Sequence, residues 1–132
     1  MTPALERALK NEKLCYITTW DAAGKPGTVE IWFAWVDGKV YIATGAESLK
    51  VKKLKTTPRA RIAIGSRKGP AIEGPVRIRK DRPTVEHVAP LLNGKYNHEW
   101  GANQEFIRRL VSGAADVLLE CTPEKVTEVV LW

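Results

Sequence analysis

The 132-residue sequence is poor in side chains that bind metals or form cross-links: it has two cysteines, two histidines and one methionine. Cys15 and Cys121 stand far apart, have apolar neighbours and belong to no C-x-x-C pair. That usage points to buried reduced thiols rather than a disulfide framework or a redox pair. His87 and His98 do not share a helical i,i+4 spacing and have no cysteine nearby, so no zinc site is expected. Long apolar runs are missing as well. The stretch from Val29 to Val36 is interrupted by Glu30 and is far too short to span a bilayer. The segment MTPALERALKNEK lacks the apolar centre of a secretory leader, so the expected compartment is the cytoplasm.

What the chain does have is a globular balance, 44% hydrophobic and 27% charged, at a length that suits one domain over residues 1–132. Five tryptophans and a net charge of +6 stand out, and the positive charge is clustered: Lys50, Lys52, Lys53 and Lys55 are followed by Arg59 and Arg61. Clustering of this kind marks a possible anion site, whereas dispersed charge marks a solvated surface. The cluster coincides with a break at Thr44-Gly45, where the strand pattern KVYIATG hands over to a helix beginning at Ser48. A helix start leaves backbone N–H groups without intrahelical partners, backed by the positive end of the helix dipole. Phosphate or carboxylate is the ligand such an end attracts.

Taken in order, residues 3–12 predict a short amphipathic helix with Ala4, Leu5, Ala8 and Leu9 on one side and Pro3 in its first turn. Residues 14–20 and 27–36 predict a hairpin around D-A-A-G-K-P, with Val29, Ile31, Phe33 and Trp35 facing the interior and Thr28, Glu30, Trp32 and Ala34 facing away. Asp37-Gly38 is a two-residue hairpin turn, and KVYIATG is the next strand. Helix 48–56 follows, ended by Pro58, with Val51 and Leu54 inward and Lys52 and Lys55 outward. RARIAIG and AIEGPVRIRK read as two more strands joined by a turn from Gly65 to Pro70, the second interrupted by a bulge or an edge at Gly74-Pro75. Helices after Pro83 and over 101–112 precede a closing strand pair turned at T-P-E-K. The expected fold is α+β, a mainly antiparallel split β-barrel of about six or seven strands with flanking helices, since curling the sheet removes its exposed edges.

The order of D-x-x-G-x-P turn, aromatic strand, D-G turn, Y-I-A-T-G, S-x-K-x-x-x-L and T-P-R-A-R-I resembles the pyridoxamine 5′-phosphate oxidase-like proteins, the split β-barrel flavin-binding family. The likeness covers residues 4–80 well and the later helices and V-L-L-E-C-T-P-E-K-V more loosely. It implies a homodimer with FMN at the subunit interface. It also implies a flavin ring against Thr28, Val29, Glu30, Ile31 and Trp32, and a phosphate held by Ser48 and Lys50. Thr44 would touch the phosphate end or the adjoining sugar chain, and Lys53 is a weaker match. The physical reading of the helix start agrees: Ser48 can cap it, the N–H groups of Leu49 and Lys50 face the anion, and Lys50 adds charge.

The departures narrow the implication. The arginine-rich substrate motif and the R-L-x-P ending of the oxidases themselves are not matched, and the second strand reads T-V-E-I-W-F where those oxidases place a phosphate-gripping arginine. The resemblance is therefore to the family rather than to that oxidase, and a deazaflavin coenzyme stands beside FMN as the cofactor. No set of nucleophile, base and orienting group can be picked out, so catalytic residues are unassigned, as suits hydride transfer by a cofactor to or from a small organic substrate. Trp32 and Trp35 are read as core or dimer-interface residues ahead of stacking platforms, with Trp32 the one placed to touch a cofactor ring. Trp100 is read as packing under a loop ahead of capping the site from the second subunit, and Glu30 is assigned no acid or base role. Two other readings are a flavin-fold dimer that has lost its cofactor and a basic barrel binding single-stranded nucleic acid. The second is disfavoured because the aromatics fall mostly on the apolar strand face.

Overall fold

The computed structural model describes residues 2–95 and 103–127. Helix α1 (Pro3–Asn11) begins at Thr2, whose Oγ1 accepts a hydrogen bond from the Leu5 N–H at 3.3 Å. It buries Leu5 and Leu9 and leaves Ala4 in solvent. Then come β1 (Leu14–Trp20), β2 (Pro26–Trp32), β3 (Ala34–Val36), β4 (Lys39–Gly45), α2 (Leu49–Thr56), β5 (Arg59–Ile64) and β6 (Ala71–Arg79). Helices α3 (Arg82–Lys95) and α4 (Asn103–Ser112) precede β7 (Asp116–Cys121) and β8 (Lys125–Thr127). Residues 96–102, including Trp100, lie outside the described residues.

The eight strands form one antiparallel sheet in the order β2-β1-β5-β6-β7-β4-β3, with β8 added beside β6. The two ends of that order, β2 and β3, are separated in the chain only by Phe33. The sheet must therefore curl until its ends meet, which is the α+β split barrel expected from the strand pattern. Its interior holds Ile17, Phe33, Ile42, Ile62, Ile72 and Leu119, closed by Leu5 and Leu9 of α1 and by Val51 and Leu54 of α2. Each such fully buried side chain contributes about 1.5–3 kcal/mol of transfer free energy. On the outside, α3 and α4 cover Tyr41 and Leu118, so β4 and β7 are buried on both faces and read as nearly continuous apolar runs.

Four expectations change. The single strand over 27–36 is two, because the ladder passes from β1 to β4 at Phe33. Val29 is not interior: it is 44% exposed, since β2 is the outer strand of the sheet, while Ala34 is buried against the helices rather than facing out. Gly74-Pro75 is neither bulge nor edge but a corner in an interior strand. Residues before it pair with β5 and β8, those after it with β7, and a Cβ at Gly74 would stand 1.9 Å from the Thr122 carbonyl oxygen. The final strands do not pair with each other, because β7 fills the space between β4 and β6. The Asp37-Gly38 turn is as read, with φ of 51° and 76°.

Candidate functional site

The half of the candidate site that is built to face an anion by its chemistry is the start of α2. Ser48 is at the N-cap with extended backbone, yet its hydroxyl makes no capping bond, and Oγ is buried without a hydrogen-bond partner. The expectation that Ser48 caps the helix is thus not met. A buried hydroxyl with nothing to bind costs free energy, and a helix start beside lysines is a place where an anion oxygen can supply that partner. Leu49 is 66% exposed, and Leu49 and Lys50 occupy the first turn, where backbone N–H groups have no carbonyl four residues back within the helix. Lys50 is half-buried, and desolvation by that burial pushes its pKa down from the ordinary lysine value. A bound anion would offset this penalty.

Lys53 joins this end to β2. Its Nζ lies 2.6 Å from where a Cβ on Gly27 would be, so the absence of a side chain at Gly27 is what lets the ammonium rest against the strand. Thr28 follows directly, its hydroxyl 2.7 Å from that of Thr18, and Glu30 accepts from the Tyr16 hydroxyl at 2.8 Å. These two cross-strand pairs hold β2 to β1. The Arg67 guanidinium stacks over the Tyr16 ring, 5.3 Å from its centroid. As the outer strand, β2 directs half of its backbone groups away from the sheet.

A cleft of about 280 Å³ opens beside β2, lined by Leu14, Glu30, Ile31, Trp32 and Ala43. Trp32 is 39% exposed there, while Ile31 also packs against the barrel core. Thr44, next to Ala43, is buried opposite Val117 at the end of β4. Of the ten residues expected at the site, Glu30, Ile31 and Trp32 share this cleft, and Lys53 reaches the start of β2 just before Thr28. Val29 lies on the exposed surface of the strand. Sequence reasoning missed Gly27, Leu14 and Ala43. Gly27 beside Pro26 reads as part of a turn, and nothing local marks Leu14 or Ala43, which come to the cleft only by strand pairing. Among the described residues no group of three His, Cys, Asp or Glu is placed to hold a metal ion. Nor is any described helix long and apolar enough to cross a membrane.

Comparisons with solved structures agree on the fold. An F420 reductase superposes with a TM-score of 0.68 at 18% identity, covering 92% of this chain and 94% of its own. A FAD-binding protein from Mesorhizobium loti gives 0.69 at 16%, covering 96% and 92%. The heme storage protein HutZ from Vibrio cholerae gives 0.66 at 12%, again covering 96% and 92%. At these identities the likeness establishes architecture and not ligand. No curated protein matches the sequence. The profile of one family, described as pyridoxamine 5′-phosphate oxidase, matches residues 1–129, nearly the whole chain. The curled sheet, the strand-to-helix junction and that match together make this chain a member of the pyridoxamine 5′-phosphate oxidase family.

Proposed function

We propose that the protein is a flavin-dependent oxidoreductase that transfers hydride to or from a small organic substrate. Its cofactor, FMN or a deazaflavin coenzyme, is bound by its phosphate at Ser48 and Lys50 and lies along β2. The observation that carries the reading is the buried, partnerless Ser48 hydroxyl at a helix start flanked by a desolvated lysine. When bound, such a cofactor supplies the hydride chemistry at its ring. The chain supplies placement. Ser48 Oγ donates to a phosphate oxygen, the N–H groups of Leu49 and Lys50 add two more donors, and Lys50 and Lys53 neutralise charge. The outward backbone groups of Thr28 to Ile31 offer hydrogen bonds to a flat polar ring edge, and the cleft at Trp32 gives it an apolar wall. With no acid or base assigned, solvent completes the proton transfer.

The deazaflavin reading is supported by the second strand, T-V-E-I-W-F, which carries no arginine to grip a phosphate monoester. A phosphodiester, which carries one charge fewer, needs less positive charge. The similarity to an F420 reductase is compatible with it. Titrating FMN against the deazaflavin coenzyme, with the wild type and with Lys50→Ala, tests both. The expected result is micromolar binding of one cofactor, weakened at least about tenfold by Lys50→Ala, in line with a charge-assisted contact. Absence of binding by either, or unchanged affinity in the variant, overturns the assignment.

A further inference from the structure

A second cavity, of about 390 Å³, lies between α1, β3 and the end of α3 and shares no residue with the cofactor site. Its apolar wall is Leu9, Trp35 and Leu91, and its charged groups are Lys10, Asp37 and Lys95. Lys95 Nζ donates to the Phe33 carbonyl oxygen at 3.0 Å and sits 3.5 Å from the centroid of the Phe33 ring. Phe33 is the residue at which the ladder breaks between β2 and β3, so its carbonyl is available to a side chain, and its ring is fully buried in the barrel. The amine is therefore held at a defined place on a rigid support, at one end of an apolar-walled space.

We propose that Lys95 is a reactive amine that captures small apolar aldehydes in this cavity as imines. The lysine first loses a proton to solvent. The nitrogen lone pair then attacks the aldehyde carbon, the carbonyl π pair moves to oxygen, and that oxygen is protonated by water. Loss of water from the carbinolamine forms the C=N bond, so the ammonium and the aldehyde give imine, water and one proton, with no change of oxidation state. Burial supports the first step by pushing the Lys95 pKa down to about 8, an effect to which Lys13 adds and which the neighbouring Cys15 and Glu12 oppose. At about pH 7.4 about a fifth of such an amine is unprotonated, against about a thousandth of an ordinary lysine. On the same rim Asp37 is engaged by His87 at 2.8 Å.

The test is trapping with benzaldehyde and cyanoborohydride on the full chain without added flavin, followed by peptide mapping. The expected result is benzylation of Lys95 at least about tenfold faster than of exposed lysines, with a rate that rises with pH to a midpoint near 8. Lys95→Arg should abolish the fast phase. Leu91→Glu changes a half-exposed wall residue and spares the core, and it should slow labelling several-fold. Labelling in proportion to exposure, fastest labelling at Lys50, or indifference to Leu91→Glu overturns the proposal. Because no flavin is present, failure here says nothing of the cofactor assignment.

Discussion

At Ser48 the local contribution to stability and the proposed role in cofactor binding can be separated by one substitution. A serine N-cap normally contributes about 1 kcal/mol through its capping bond, but here that bond is not made and the hydroxyl is buried without a partner. Ser48→Ala should leave the melting temperature of the cofactor-free protein unchanged or raise it, while weakening phosphate-bearing cofactor about tenfold. Differential scanning fluorimetry and a binding titration separate the two effects, and a drop in stability would show that Ser48 is an ordinary cap. Cys15 and Cys121 make a different case. Burial pushes both thiols from the ordinary value of 9.0 up to about 12, so between those values the native state keeps protons that the unfolded chain has released. Stability is therefore fully present below pH 9 and falls as pH rises toward 12. Tyr41, raised by burial and by its bond to Glu120, acts in the same direction, whereas Lys95 opposes between about 8 and 10.5. The urea midpoint of the wild type should fall from pH 9 to 11 more steeply than that of a Cys15→Ala/Cys121→Ala variant. The burial of both thiols was legible from their apolar neighbours, but the failed cap was not, since a serine before a helix always reads as one.

β6 is where an element departs most from its local signals. Gly74-Pro75 looks like a place to end a ladder, yet the strand continues through it by changing partners. The glycine is required because the Thr122 carbonyl passes directly over it, and Thr122 is fixed there by its own N–H bond to the Pro75 oxygen. Gly74→Ala should cost about 3 kcal/mol in urea denaturation, since only backbone can yield. Gly94, in α3, has nothing within 4 Å of an added Cβ, so Gly94→Ala should stabilise by about 0.5–1 kcal/mol through helix propensity. Similar effects at both glycines would refute the corner. α2 was read almost to the residue, because Pro58 and the Val51/Leu54 spacing are local facts and both side chains are buried as expected. The partners of β7 and β8 were not legible, because pairing depends on which strand has a free edge and not on the turn between them.

The outer strand β2 bears on the assembly. Val29 and Trp32 are exposed on it, next to the cleft, and a hydrophobic edge of this kind invites another chain. The homodimer that the family resemblance implies would place its interface there, and sedimentation should then give twice the 14.7 kDa chain mass. Val29→Lys should shift the protein toward monomer and weaken cofactor binding in parallel. A monomeric wild type that binds flavin fully would separate the cofactor site from dimerisation. Residue order alone determined the alternation of strands and helices, the turn at Asp37-Gly38, the lysine-rich helix start and the family, because each rests on interactions among neighbours in the chain. Tertiary structure decided the rest. Whether Val29 is buried, which strand β8 joins, what lies over Gly27, and how Lys95 comes to rest on Phe33 all depend on closing the sheet. Closure brings together residues whose separation in the chain carries no trace of the contact.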